Sequence, residues 1–266
     1  MRELTLGQYY PADSILHRLD PRVKFIGTIL YIVSLFVARG PAGYVFAFLV
    51  LAALVGLSKV PPSFVAKSLR PVYFILAITM IFNILLTPGT VLVRFGILRI
   101  TEEGIRQAVL MGVRLVLLVA GSSVMTLTTT PNELTDAMER VFAFLGVLHV
   151  PVHEIAMMMS IALRFIPILT EETDKIRKAQ MARGADFESG KFIERMRAMI
   201  PLLVPLFVSA FRRANDLALA MEARCYHGGE GRTRMKPLRY RKRDAAAYAL
   251  AGVYLAACIV LGVLKL

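Results

Sequence analysis

Residues 155–184 read IAMMMSIALRFIPILTEETDKIRKAQMARG. The first half is apolar apart from Ser160 and Arg164, and from Thr170 it turns polar with Glu171, Glu172, Asp174, Lys175, Arg177 and Lys178. As a helix the apolar half would be about 22 Å long, short of the roughly 30 Å bilayer core. Gly184 is the natural left-handed stop after such a helix. A second segment runs from about Phe192, and its residues 199–225, MIPLLVPLFVSAFRRANDLALAMEARC, repeat the design: apolar to Phe211, polar from Arg212, with Pro201 and Pro205 as expected bends. The two segments end in Ala182-Arg183-Gly184 and Ala223-Arg224-Cys225. Each starts in grease and delivers a small-Arg-small tip into water. That pattern reads as an all-α integral membrane protein with part of its mass outside the bilayer.

Composition agrees. Of 266 residues 56% are hydrophobic and 19% charged, with the charges gathered in blocks between long apolar runs, and the mean hydropathy is +0.60. A soluble domain carries about a quarter charged residues. The net charge of +13 raises the question of nucleic acid, but the interleaving of aromatic and basic residues that stacks bases is missing. Basic residues flanking apolar spans follow the positive-inside rule instead.

Upstream of the central stretch, apolar runs cover residues 25–38, 41–57, 71–86 and 105–127, and a last one covers 245–264. These make about five transmembrane helices. Arg39-Gly40 leaves room for a tight hairpin between the first two, and Pro61-Pro62 breaks the helix after the second. Residues 90–101 alternate loosely and suggest a short extended or re-entrant connection. Arg114, like Arg164, lies inside an apolar run, where a charge normally faces a protein interior or an aqueous cavity. Thr130-Pro131-Asn132-Glu133 reads as a helix start, capped by Thr130 with Pro131 at the first helical position. The residues after it recur apolar at three- and four-residue steps to Gly146, an amphipathic helix too polar to span. With the two tipped segments this makes about three long helices outside the bilayer. The expected organisation is a four-span membrane part at 1–127, these helices at 128–230, and a basic linker with a final span at 231–266. In that last span Gly252 and Ala256 form a small-xxx-small pair suited to close helix contact.

Orientation follows from charge. Arg2, Arg18, Arg22, Lys24, Lys59, Lys67, Arg70 and seven basic residues from Arg232 to Arg243 fall on one side; Arg39, Arg94, Arg99 and Lys265 fall on the other. The bias puts the N-terminus and both arginine tips in the cytoplasm and the C-terminus outside. Met1 to Asp20 has no apolar core, so no cleavable signal is expected. Cys225 and Cys258 sit in unlike surroundings and are not expected to pair, and neither belongs to a metal-ligand spacing. His17, His153 and His227 are scattered. The many methionines, among them Met157, Met158 and Met159, read as adaptable packing.

Three stretches together resemble a known family. Residues 14–24, SILHRLDPRVK, are similar to its opening segment; Pro131-Asn132-Glu133-Leu134 and the amphipathic helix are similar to its middle; the paired Ala182-Arg183-Gly184 and Ala223-Arg224-Cys225 resemble its two ARG-type signatures, the second with Cys in place of Gly. The family is the T component, the transmembrane coupling subunit, of energy-coupling factor (ECF) transporters, ABC-type importers for vitamins and metal ions. The resemblance implies a non-catalytic subunit that joins two ABC ATPase subunits to a membrane-embedded, substrate-binding S component. Ala182, Arg183, Gly184, Ala223, Arg224 and Cys225 would engage the ATPases, the apolar helix halves would face membrane partners, and the polar halves would reach the motor. It implies no cofactor in this chain, ATP and Mg being bound by the partner ATPases; the absence of G-x-x-x-x-G-K-[ST] points the same way.

Two rival readings stand beside it. A conventional permease subunit would line the substrate path itself, with Arg114 and Arg164 as pathway residues. A membrane scaffold or enzyme would need no ATPase, but no nucleophile–base pair, metal motif or phosphate loop supports an enzyme. For the tips, the plain alternative is that each arginine caps a helix C-terminus, where positive charge is favoured by about 0.3–1 kcal/mol.

Overall fold

The computed structural model describes residues 9–38, 40–95, 98–187, 192–228 and 238–263. Ten α-helices follow one another among them: α1 (Pro21–Val37), α2 (Pro41–Ser58), α3 (Pro62–Leu69), α4 (Tyr73–Leu86), α5 (Glu102–Thr128), α6 (Pro131–Val141), α7 (Val152–Ala182), α8 (Phe192–Ala198), α9 (Ile200–Glu222) and α10 (Lys242–Val263). Between α4 and α5, Val91–Phe95 (β1) and Leu98–Thr101 (β2) pair antiparallel, which resolves the expected extended connection as a hairpin. Arg2, Arg39, Arg232, Arg234, Lys236 and Lys265, counted above for orientation, lie outside the described residues.

Among the described residues, five helical stretches are long and apolar enough to cross a membrane: 41–58, 62–86, 102–128, 152–182 and 242–263. The set differs from the five runs read above. At 17 residues α1 is shorter than these, whereas the apolar half of α7 joins its polar half in one continuous 31-residue helix.

The described residues form two compact units, one of residues 9–141 with 238–263, the other of 142–228. In the first, α5 is central and packs against α1, α2, α3 and α4, and α1 also carries α6 and α10. The core gathers Leu16, Tyr31, Leu35, Tyr44, Leu51, Leu117, Val124 and Leu127. Close approach is made possible by Gly121, where a Cβ would lie 2.3 Å from the Tyr31 ring, and by Gly262, where it would meet the Val37 carbonyl oxygen at 2.7 Å. Gly252 has nothing near it, so the small pair expected with Ala256 is not where α10 makes its close contact.

Polar pins fasten the apolar packing. The Ser34 hydroxyl shares a 2.7 Å hydrogen bond with Tyr254 on α10, and Ser123 donates to Ser68 at 2.6 Å. Arg114 donates from Nε to the Tyr44 hydroxyl at 2.9 Å and lies over the Phe36 and Tyr44 rings. Lys24 donates to the Thr128 carbonyl at 2.8 Å, tying the start of α1 to the end of α5.

The opening segment is built into this unit. His17 bonds Ser14 and the Tyr10 carbonyl. Asp20 caps α1 by accepting from the Arg22 backbone N–H at 2.9 Å, and the Arg22 guanidinium closes on the same carboxylate at 2.8 Å. Burial of Asp20 works against its charge, but the Arg22 hydrogen bonds and positive charge outweigh that and hold the carboxyl below the ordinary aspartate range. The Asp20 backbone N–H donates to Asp244, which also accepts from the Arg241 N–H. Asp244 is 1% exposed, so the two ends of the unit meet at one buried carboxylate.

The start of α6 is a capping box. Thr130 Oγ1 accepts from the Glu133 N–H at 3.3 Å and Glu133 returns the bond to the Thr130 N–H at 3.1 Å. The amphipathic helix packs on α1 and gives way after Val141 to a 3₁₀ segment, Phe142–Leu148.

Candidate functional site

The second unit is organised by α7 and α9, which pack as an antiparallel pair. Near one end the Gln180 side chain donates to the Pro201 carbonyl at 3.2 Å. In the middle Ser209 donates to Glu172, and Arg213 reaches the other oxygen of the same carboxylate at 2.7 Å. At the far end the Tyr226 hydroxyl donates to the Met157 sulfur at 3.2 Å. These contacts run in opposite order along the two helices, and Met157 and Gln180 lie about 35 Å apart along α7.

The expected single segment from residue 192 is interrupted at Met199, which separates α8 from α9. Pro201 is the second residue of α9; its nitrogen has no hydrogen to donate backwards, so a helix restarts there more easily than it continues. Pro167 and Pro205 lie inside helices.

Both arginine tips share one backbone geometry. After α7 the Gly184 N–H donates to the Met181 carbonyl and the Ala185 N–H to Gln180, both at 3.0 Å. After α9 the Cys225 N–H donates to Glu222 at 2.8 Å and the Tyr226 N–H to Met221 at 3.0 Å. Each is a Schellman motif with the arginine at the last half-helical position and the next residue left-handed. That residue is Gly184 at φ +89° in one tip and Cys225 at φ +56° in the other. The third residue of the signature is therefore the one the stop requires to be left-handed. Cys225 adopts the same conformation as Gly184 despite its side chain.

Arg183 and Arg224 are both exposed. Neither guanidinium has a hydrogen bond or ion pair among the described residues, and each stands where the helix dipole favours a cation. Because α7 and α9 are antiparallel, the tips are not brought together. They occupy opposite ends of the hairpin, and the apolar half of each helix lies beside the polar half of the other. The expected division into apolar and polar halves thus belongs to each helix singly and not to the pair. On α9, Val204, Phe207, Val208 and Phe211 are exposed, Phe211 at 70%; on α7, Ile155, Met158 and Met159 are exposed as well.

Two features escaped the sequence reading. One is the Glu172–Ser209–Arg213 link, legible only if the two segments are assumed to fold back on each other. The other is a groove of about 580 Å³ between the first half of α7 and the end of α9, lined by Arg164 and Arg224 together with Met157, Ile161 and Met221. Cys225 and Cys258 are both free, the first exposed and the second buried. Among the described residues no cluster of three or more His, Cys, Asp or Glu could hold a metal ion.

Comparison with known proteins bears on the whole chain. The family model described as cobalt transport protein, CbiQ, matches residues 12–235. The energy-coupling factor transporter transmembrane protein EcfT of Thermosediminibacter oceani is 51% identical over 253 residues, covering 95% of this chain and 96% of that protein. The protein of that name from Ruminiclostridium cellulolyticum is 51% identical over 255 residues, 96% of each chain, and that from Listeria innocua 49% over 245 residues, 92% of each. Near-complete coverage at half identity, on a helical scaffold with five membrane-length apolar helices, assigns the chain: it belongs to the family of energy-coupling factor transporter transmembrane proteins.

Proposed function

We propose that this chain couples two cytoplasmic ABC ATPase subunits to a membrane-embedded substrate-binding S component, for ATP-driven uptake of a vitamin or metal ion. The observation that carries the reading is the pair of matching arginine tips, identically capped, at opposite ends of one cross-linked hairpin. Two equivalent grips suit two equivalent motor subunits. Arginine suits each grip because its planar fork pairs bidentately with carboxylates and stays charged throughout. The Schellman stop holds Ala182 and Gly184, or Ala223 and Cys225, around the arginine as small neighbours that leave it free to enter a partner's groove. ATP and Mg then belong to the partners, and this subunit is non-catalytic. In this reading the tips face the cytoplasm, with the N-terminus on the same side and the C-terminus outside.

The link at Glu172 makes the hairpin a lever. A displacement of either tip is carried through the crossing to the other helix, and from there to the exposed apolar side chains of α9 that suit a membrane partner. Against the permease alternative stands Arg114, whose guanidinium is engaged by Tyr44 and Phe36 rather than directed at a substrate path.

The test is the double variant Arg183→Glu, Arg224→Glu in the assembled transporter. ATPase co-purification and uptake are expected to be lost while the membrane fold and the S-component contact remain. One desolvated Arg–carboxylate pair at an interface is worth about 2–5 kcal/mol by truncation. Full ATPase retention and uptake in the double variant would reject the reading.

A further inference from the structure

Arg164 plays no part in the coupling contact, yet it lines the same groove as Arg224. One is in the apolar half of α7 and the other at the end of α9. No lining residue carries a carboxylate, and neither arginine has an ion pair among the described residues. A space of about 580 Å³ thus holds two guanidinium-bearing side chains and no anion to answer them. The remaining wall is largely apolar: Met157 and Ile161 from α7, Leu217 and Met221 from α9. It adjoins exposed Ile155 and Met158 on α7, a helix apolar enough over an 18-residue window to enter a bilayer.

We propose that this groove binds one anionic phospholipid, its phosphate between Arg164 and Arg224 and the start of its acyl chains along the Met157–Ile161 wall. The match is one of chemistry. Guanidinium is the side chain best suited to a phosphate, and basic pockets between helices at the membrane surface take anionic headgroups. A small inorganic anion would satisfy the arginines and leave the apolar wall wet; a lipid satisfies both. Tyr226, bonded to Met157, lies in the lining and holds α7 to the end of α9. Arg224 serves both this groove and the coupling contact, whereas Arg164 serves the groove alone.

The experiment is native mass spectrometry of the full chain in mild detergent, titrated in parallel with dioleoyl-phosphatidylglycerol, dioleoyl-phosphatidylcholine and the deacylated headgroup glycerophosphoglycerol. The anionic lipid is expected to bind about 30-fold more tightly than the zwitterionic one, from roughly fivefold for each arginine facing the headgroup. Arg164→Gln with Arg224→Gln should abolish that preference, Arg164→Lys with Arg224→Lys should keep most of it, and Arg212→Gln, on α9 outside the groove, should leave it unchanged. Equal retention of the two lipids would overturn the proposal. So would loss of the preference in Arg212→Gln, or a headgroup that binds as tightly without its acyl chains. Arg183→Glu, at the far end of the hairpin, probes ATPase retention without touching the groove, so the two readings fail separately.

Discussion

At Cys225 the backbone stands at φ +56°, a region where a side chain costs about 1 kcal/mol relative to glycine. The hydrogen bonds of the Schellman motif hold it there, and the thiol is exposed. Cys225→Gly is therefore expected to stabilise the end of α9 by about 1 kcal/mol, with coupling intact. Gly184→Ala at φ +89° should cost the other tip at least as much. Hydrogen exchange of the last turn of each helix checks both, as slowed exchange in the first variant and accelerated exchange in the second. Equal exchange in Cys225→Gly and the parent chain would show that the left-handed residue does not limit this helix end. The arginine before it needs no such conformation, so its identity is free to serve a partner. That is why the small-Arg-small pattern could be read as a contact from sequence, while the reason for its third residue appears only with the backbone angles.

For the α7–α9 pair, the deciding interaction is the carboxylate of Glu172 received by Ser209 and Arg213. Arg213 is 41% and Glu172 23% exposed, so solvent screens the pair and weakens its coupling without abolishing it. A double-mutant cycle with Glu172→Gln and Arg213→Gln, read from hydrogen exchange at the middle of α9, is expected to return a favourable, non-zero coupling. A coupling indistinguishable from zero would remove the crossing from the lever. Periodicity and charge in the sequence mark α7 and α9 as two half-greasy helices. Their antiparallel register was not legible, because each segment's pattern is satisfied by any neighbour that covers its apolar side. The same limit applied to Arg164. Its place in an apolar run made it notable, but nothing local could pair it with a residue sixty positions away.

Across the whole chain, one buried carboxylate joins the two ends of the membrane unit. Replacing Asp244 by Ala leaves the buried Asp20 N–H without an acceptor and is expected to cost about 1–3 kcal/mol, with Asp244→Asn milder because one acceptor remains. The midpoint for heat-induced loss of the monodisperse detergent complex measures it; an unchanged midpoint in Asp244→Ala would show that α10 is held by its apolar contacts alone. The orientation inferred from charge makes a second whole-molecule prediction. A membrane-impermeant maleimide should label exposed Cys225 in inside-out vesicles and not in intact cells, while buried Cys258 stays unlabelled in both. Bound ATPases should protect Cys225, and labelling in intact cells would reverse the topology.

Fold class and several helix ends were determined by the sequence itself, because they rest on local chemistry: apolar run length against bilayer thickness, a Thr130–Glu133 capping box, and a glycine able to turn left-handed; the number of helices and which of them reach membrane length were not. What the tertiary structure alone decided is which residues meet. It joined Asp20 to Asp244, closed Glu172 on Arg213, sent the arginine tips to opposite ends of one hairpin and brought Arg164 beside Arg224. Each of those pairings is chosen by how packed helices cross, a property of the assembled chain that no window of residues contains.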